Sequence, residues 1–85
     1  MKVDKQEIVD GICYTELVYG RINKKLNTKY SKNQLEEHIL QVLKETDIIF
    51  YSRTGKNYYV LNRENNIRIT INSNTLRVIT VDRIE

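Results

Sequence analysis

The chemistry that this sequence could carry is concentrated in the cations and aromatic rings of its second half. Arg68 and Arg77 lie in segments with strand character, and Tyr58 occupies an earlier strand segment. Arginine neutralises phosphate and tyrosine rings stack on unpaired bases, so a strand surface that combines them suits a nucleic-acid backbone. Both residue types are also common on solvent-facing strands, where cross-strand pairs stabilise the sheet. The residues alone leave both interpretations open.

A second concentration of charge lies between residues 21 and 32, where five cations occur without an acid: Arg21, Lys24, Lys25, Lys29 and Lys32. Such a segment can act as an arm that contacts phosphates. Cations at the end of a helix also complement the helix macrodipole without any ligand. The net charge of +3 is mild, so the distribution of charge is more informative than the total.

His38 is the only histidine and Cys13 the only cysteine. His38 falls at the edge of an apolar helical stripe, where it could act as a general acid or base or simply flank the core. One cysteine and one histidine match no metal-site spacing, so we expect no metal. Because no nucleophile triad, glycine-rich phosphate loop or carboxylate pair stands out, we also expect no cofactor.

The length and composition indicate a single globular domain over residues 1–85. A chain of 85 residues builds one core, and a hydrophobic fraction of 40% without proline fits a compact globule. A single cysteine excludes an intrachain disulfide and favours a reducing compartment. The start MKVDKQE has no apolar signal core, and no apolar run is longer than Ile48 to Tyr51, which is far shorter than the roughly 20 residues of a membrane span. We expect a cytoplasmic protein that does not enter a membrane.

Two amphipathic helices are predicted in the first half. Asp4 and Glu7 form a capping-box pattern for a helix over residues 4–27, and Ser31 with Gln34 starts a second helix over residues 31–46. Apolar residues recur at helical spacing in both segments, which gives each helix one buried stripe. The two stripes consist of Ile8, Ile12, Leu17, Val18, Ile22 and Leu26, then Leu35, Ile39, Val42 and Leu43.

Residues 47–83 predict four strands separated by polar turns at 54–56, 64–66 and 72–75. Helices followed by consecutive strands indicate an α+β fold, in which two N-terminal helices pack on one face of a four-stranded antiparallel meander sheet. A winged-helix domain, with the strands as an extended wing, is the alternative. The number of strands in the sheet separates the two architectures.

The register of the strands decides which side chains share a face. The third strand alternates isoleucine with polar residues, which places Arg68 on the side away from the core. A three-residue turn at 64–66 would put Leu61 opposite Ile69 and turn Tyr58 and Asn62 to the Arg68 side. A four-residue loop at 72–75 would put further residues on that side, namely Arg77, Ile79, Val81 and Arg83.

The last strand is apolar on both faces, since it contains Val78, Ile79 and Val81, and the chain has six tyrosines. An interior strand, or a strand covered by a partner, has this composition. More apolar surface than one small core needs predicts a homodimer or a complex with another protein.

Two resemblances extend these expectations. The run from Ile12 to Asn27, together with the pattern from Arg68 to Asp82, resembles a family of small bacterial proteins known only as a domain of unknown function, which implies no activity. The second half, which ends in VITVDR, is similar in layout to RelE-type and colicin-type ribonuclease toxins. The similarity implies a metal-independent ribonuclease whose sheet face binds RNA.

The resemblance to the toxins also implies roles for individual residues. Arg68 and Arg77 would clamp phosphates, Thr80 or Tyr58 would donate hydrogen bonds, and His38 is the only histidine for proton transfer. The predicted function is a cytoplasmic protein directed at RNA or another nucleic acid, either as a binder or as a RelE-like endoribonuclease of a toxin–antitoxin pair. The alternative is a non-enzymatic interaction or inhibitor protein from a mobile element, such as a phage anti-defence protein. The sequence leaves open whether the protein is an enzyme.

Overall fold

Residues 3–84 are described by the computed structural model, and they form three α-helices, one 3₁₀ turn and four β-strands. The helices are α1 (Lys5–Gly11), α2 (Val18–Leu26) and α3 (Lys32–Glu45), and the 3₁₀ turn is Ile48–Phe50. The strands are β1 (Tyr51–Thr54), β2 (Asn57–Asn62), β3 (Ile67–Asn72) and β4 (Val78–Arg83). Met1, Lys2 and Glu85, which the predicted domain includes, lie outside the described residues. None of the described helices is long and apolar enough to cross a membrane.

The first predicted helix, over residues 4–27, is two helices, α1 and α2. Its predicted start is confirmed, because the Asp4 carboxylate accepts a hydrogen bond from the Glu7 backbone N–H at 3.1 Å. The helix breaks at Cys13, which forms an isolated β-bridge with the segment just before β4. The Cys13 N–H donates to the Leu76 carbonyl at 3.0 Å, and the Val78 N–H donates to the Cys13 carbonyl at 2.9 Å. These bonds replace helical ones, so a long-range pairing divides the predicted helix.

Gly11 permits the chain to approach closely at this break. A Cβ atom at that position would lie 2.5 Å from Leu76 Cδ1, which is much closer than non-bonded carbons pack. Leu76 itself has a φ of 61°, in the left-handed region that is unusual for a residue other than glycine. Gly11 therefore allows close packing between the end of α1 and the loop that leads into β4.

The second predicted helix and the order of the strands are confirmed. α3 begins with a capping box between Ser31 and Gln34, and its buried residues are those of the predicted stripe. The strands form a four-stranded antiparallel sheet in the order β1-β2-β3-β4, as expected for a meander and unlike a two-stranded wing. Gly55 and Asn66 adopt φ values of 60° and 57° in the first two turns, where the chain must reverse tightly.

The pairing of β2 with β3 differs from the prediction by one residue. Val60, not Leu61, lies opposite Ile69, because the turn between the strands comprises residues 63–66 and is one residue longer than predicted. A shift of one residue exchanges the two faces of a strand. Tyr58 therefore lies on the core side and is only 8% exposed, whereas Leu61 lies opposite Arg68.

β4 also differs from the prediction, because its pairing with β3 contains a bulge. The register shifts between Thr70 and Ile71, so that Ile79 is the extra residue. Val78 and Val81 consequently both reach the core side, where they are 2% and 0% exposed. The prediction that Val81 faces away from the core is wrong. The apolar surface on β4 that motivated the homodimer is largely covered within the chain.

One hydrophobic cluster contains buried side chains from all three helices and from one face of the sheet. We call this sheet face the core face. The opposite face is called the Arg68 face here, and its side chains are Tyr59, Leu61, Arg68, Thr70, Thr80 and Asp82. The members of the cluster are Ile8, Val18, Ile22, Leu26, Leu35, Ile39, Val42, Leu43, Tyr51, Tyr58, Val60, Ile67, Ile69, Ile71, Val78 and Val81.

Two buried polar contacts join the end of α3 to the sheet. The Tyr51 hydroxyl donates to the Leu43 carbonyl at 2.6 Å, and the Asn62 side-chain amide donates to the Thr46 hydroxyl at 2.8 Å. Asn62 was expected on the Arg68 side, and the same shift of β2 places it here. Burial raises the pKa of Tyr51 to about 12, because the charged phenolate would be desolvated at this position.

Alkaline conditions are expected to destabilise the fold between pH 10 and pH 12. The folded pKa of Tyr51 lies above the unfolded value of 10.0, so its stabilising contribution is complete below pH 10 and is lost as the pH rises through about 12. Tyr51→Phe is expected to lower the free energy of unfolding by about 1 kcal/mol at neutral pH, because the Leu43 carbonyl loses its hydrogen-bond donor. The variant should also lose less stability than the parent protein as the pH rises above 10. Urea unfolding at neutral pH and across the range from pH 10 to pH 12 measures both effects. An identical alkaline decline in the variant would contradict the assignment.

Candidate nucleic-acid interface

A groove on the Arg68 face surrounds one cation with aromatic, apolar and hydroxyl side chains. The groove has a volume of about 500 Å³. Ser52 lies opposite Tyr59 and Leu61 opposite Arg68, so alternate residues of three adjacent strands reach the same face. The lining residues are Ile49, Phe50, Ser52, Thr54, Tyr59, Leu61 and Arg68. Such a surface can hold a flat apolar ring beside an anion.

Arg68 is the cation in the lining of this groove. Its guanidinium carbon lies 5.7 Å from the centroid of the Tyr59 ring, within the range of a cation–π contact. One guanidinium nitrogen is 4.0 Å from the Asp82 carboxylate. The Arg68 side chain nevertheless remains 50% exposed, so several of its N–H donors are accessible to a ligand.

The 3₁₀ turn adds exposed apolar surface at the β1 end of the groove. Ile48, Ile49 and Phe50 are 43%, 76% and 41% exposed. The turn begins at Asp47, whose carboxylate accepts a hydrogen bond from the Ile49 N–H at 3.1 Å. The sequence prediction placed these residues in the first strand and missed their exposure, because an apolar run beside a strand usually belongs to the core.

The cations of α2 reach the other end of the same sheet face. Lys25 Nζ lies 2.7 Å from an Asp82 carboxylate oxygen, and an Arg21 guanidinium N–H donates to the Ile79 carbonyl at 3.4 Å. These contacts follow from the packing of α2 against β4. A cleft between the two elements is lined by Arg21, Lys24, Lys25, Ile79 and Thr80. The structure thus brings together four of the residues predicted for the site.

Tyr58, another predicted site residue, does not belong to this surface. It lies on the core face, and the Arg53 guanidinium carbon lies over its ring, 6.0 Å from the centroid. Its neighbour Tyr59 occupies the place that was predicted for Tyr58. Two adjacent tyrosines fit the strand pattern equally well, and only the length of the following turn distinguishes them.

Arg77 and His38 lie apart from the groove. Arg77 is exposed and lines a separate depression near the start of α2. His38 lies on α3, where its ring centroid is 6.3 Å from that of Tyr30. Among the described residues, those that line the groove include no histidine and no carboxylate. Within residues 3–84, no group of three or more histidine, cysteine or acidic side chains is placed to hold a metal ion.

Some of the cations have partners within the fold. Arg83, predicted on the Arg68 side, lies opposite Ile67, and its guanidinium donates to the Leu26 carbonyl at the end of α2 at 2.5 Å. Lys32 forms an ion pair with Glu16. Cations that interact with the carbonyl end of a helix stabilise it without a ligand. In the basic segment, Lys32 is therefore paired within the fold, and Arg21, Lys24 and Lys25 line the α2–β4 cleft. Lys29, also predicted to bind nucleic acid, is exposed and does not line the cleft.

A cluster of titratable groups lies among the helices. The Tyr19 hydroxyl donates to the Glu36 carboxylate at 2.7 Å, and this bond raises the pKa of Tyr19 to about 12. Burial raises the pKa of Tyr14 well above its usual value, and its ring stacks on Tyr19 with the centroids 5.6 Å apart. Both shifts favour the neutral phenol, which suits packing rather than acid–base chemistry.

Comparison with known proteins adds the family but no activity. No curated protein and no solved structure gives a significant match to the chain. The similarity in layout to ribonuclease toxins is accordingly not confirmed. A family model described as a protein of unknown function (DUF3781) matches residues 6–82. The chain therefore belongs to the DUF3781 family of proteins of unknown function.

Proposed function

We propose that this protein binds single-stranded nucleic acid, RNA in the first instance, on the Arg68 face of its sheet. The observation that carries the proposal is that Phe50, Tyr59 and Arg68 line one groove. Aromatic rings stack on unpaired bases of any sequence, and arginine contributes both charge and a planar group on which a base can stack. Tyr59 and Arg68 are held by the paired strands β2 and β3, and Phe50 comes from the 3₁₀ turn directly before β1.

The architecture supports this choice of face. The helices share one hydrophobic cluster with the core face. We propose that they cover that face and leave the Arg68 face to the ligand. An amphipathic sheet with one face in the core commonly keeps its other face in solvent.

The charge around the groove suits a polyanion. Four cations, Arg21, Lys24, Lys25 and Arg68, lie on or beside this face, and Lys25 and Arg68 are paired with the Asp82 carboxylate. The acids nearest the aromatic end of the groove, Glu45, Asp47 and Glu64, line the neighbouring depression that shares Phe50 and Leu61 with it. A backbone that crosses from β1 towards α2 would meet the aromatic groove first and the lysines last. Contacts of this kind make binding dependent on salt, because each neutralised phosphate releases counterions.

The proposed activity is binding without cleavage. A metal-independent ribonuclease needs a group that takes or gives a proton near the 2′-hydroxyl, and a positioned side chain usually contributes about 10²- to 10⁴-fold to the rate. The histidine predicted for this role, His38, lies next to Tyr30 on α3 instead of in the groove. We therefore infer that the ribonuclease function expected from the toxin-like layout does not operate through His38.

A second candidate function is protein interaction, as in the predicted inhibitor. The exposed residues Ile48, Ile49 and Phe50 favour it, because a contiguous apolar patch on a small domain often marks a contact with another protein. A partner with an apolar contact and a carboxylate opposite Arg68 would fit the same groove. This function becomes the better one if the protein fails to bind oligonucleotides.

Arg68→Ala is expected to weaken binding of a fluorescent single-stranded 12-nucleotide RNA and to lower the log–log salt slope by about 0.7, the value for one lost phosphate contact. Lys44→Ala is the matched control, because it removes one exposed positive charge from α3. Fluorescence anisotropy at several salt concentrations measures both quantities. The proposal is contradicted if the two variants bind with the same affinity and slope.

His38→Ala is expected to bind the same RNA as the parent protein does. RNA incubated with either protein should remain intact on a denaturing gel. Cleavage by the parent that falls about 10²- to 10⁴-fold in His38→Ala, with unchanged binding, would instead identify a ribonuclease that uses this histidine.

A further inference from the structure

The Asp82 carboxylate sits between two cations that come from different elements. Lys25 Nζ on α2 is 2.7 Å from one of its oxygens, and an Arg68 nitrogen on β3 is 4.0 Å from the other. The Asp82 side chain is 23% exposed, whereas those of Lys25 and Arg68 are 46% and 50% exposed. The carboxylate is thus more buried than either cation, and both cations keep donors directed to solvent.

We propose that this position is a phosphate-binding site that the protein fills with its own carboxylate until a ligand phosphate displaces it. A carboxylate and a phosphate accept the same charge-assisted hydrogen bonds from lysine and arginine. The inference rests on the proposed function and adds the place at which the backbone of the nucleic acid is held. Asp82 then acts as an intramolecular competitor for the phosphate.

Thr80 provides a second observation in support of a phosphate site. It lies two residues before Asp82 on the same strand face, about 7 Å away along an extended strand. Its hydroxyl is buried and has no hydrogen-bond partner within residues 3–84. Buried hydroxyls usually have a partner. Thr80 also lines the α2–β4 cleft with Lys24 and Lys25, whose flexible side chains can move aside. A phosphate oxygen bound between the lysines would give this hydroxyl its partner.

The Asp82 carboxylate lowers the affinity of any anion that must displace it. A single small anion must replace the tethered carboxylate without further gain, so it binds weakly. A nucleic acid also stacks on Phe50 and Tyr59 and contacts several cations, so it has additional binding energy with which to displace Asp82. The site therefore favours extended polyanions with bases over isolated phosphate.

Asp82→Asn is expected to raise the affinity for the 12-nucleotide RNA by roughly three- to tenfold, because two ion pairs no longer compete with the ligand. The salt slope should stay close to that of the parent protein, because the same cations contact phosphate in both complexes. Glu37→Gln is the matched control: it makes the same change in net charge at an exposed position on α3. Equal affinities for Asp82→Asn and Glu37→Gln would overturn the proposal.

A titration with inorganic phosphate tests the site without RNA. Amide chemical shifts of Lys25, Arg68 and Thr80 are expected to move with phosphate in the parent protein, and to saturate at a concentration several-fold lower in Asp82→Asn. The same spectra show whether the variant is folded. If Asp82→Asn is not folded, Asp82→Ser is used in its place. The titration of the parent protein shows in either case whether phosphate binds at these residues. Absence of phosphate-dependent shifts at these three residues, in parent and variant alike, contradicts the proposal.

The two experiments separate this inference from the proposed function. Phosphate binding at these residues without any RNA binding would leave the phosphate site standing and remove the nucleic-acid function. RNA binding that depends on Arg68 but is not strengthened by Asp82→Asn would keep the function and remove the competitor role of Asp82.

Discussion

Replacing both Phe50 and Tyr59 by alanine is expected to weaken binding of single-stranded RNA at least about 30-fold. Stacking of one base on an aromatic side chain contributes roughly 1–3 kcal/mol, and the double variant removes both rings of the groove. The fold should be little affected, because Phe50 is 41% exposed and neither residue belongs to the buried cluster. Anisotropy titrations with the same 12-nucleotide RNA measure the loss.

Tyr30→Ala is the matched control for this prediction. Tyr30 is 45% exposed, but it lies beside His38 rather than in the groove, so its removal should leave the affinity unchanged. Far-ultraviolet circular dichroism confirms that each variant is folded. If the double variant binds as tightly as Tyr30→Ala, the Arg68 face does not stack bases, and protein interaction through the 3₁₀ turn becomes the preferred function.

Ile69→Ala is expected to destabilise the domain by about 2–5 kcal/mol, the usual range for truncating a large buried aliphatic side chain. Ile69 is fully buried in the interior strand β3, between Val60 and Val81 on the neighbouring strands. A domain of this size has an unfolding free energy of roughly 5–15 kcal/mol, so this loss is a large part of the total. Urea unfolding monitored by circular dichroism measures it.

Arg68→Ala provides the comparison for stability. It lies next to Ile69 in the same strand but points to the opposite face, so its removal should change the unfolding free energy by less than about 1 kcal/mol. The contrast between two adjacent residues tests the assignment of the faces directly. Similar losses in both variants would mean that the Arg68 face is also part of a core.

Only part of the candidate site could be predicted from the sequence. Arg68, Thr80 and the cations Arg21, Lys24 and Lys25 were predicted, because charge and strand alternation are local properties. Tyr59 was missed in favour of Tyr58, since the choice depends on one residue in the length of a turn. The exposed apolar residues of the 3₁₀ turn were also missed.

The sequence by itself determined the local features of this protein. The caps at Asp4 and Ser31, the stripe of α3 and the core-facing isoleucines of β3 arise from contacts within a few residues, and all four are present in the structure. The burial of Thr70 on the opposite face of β3, at 5% exposure, was not expected from the alternation. The order of the four strands follows from short turns between consecutive strands, which favour a meander. These features need no information about distant parts of the chain.

Only the tertiary structure decided the features that depend on residues far apart in the chain. The division of the first helix requires Cys13 to meet Leu76 and Val78, more than sixty positions away. The bulge at Ile79 turns Val81 into the core, and the ion pairs of Asp82 need α2 beside β4. Periodicity in the sequence indicates on which face of its own helix or strand a side chain lies. It does not report which element lies opposite, because that depends on how all the buried surfaces pack together.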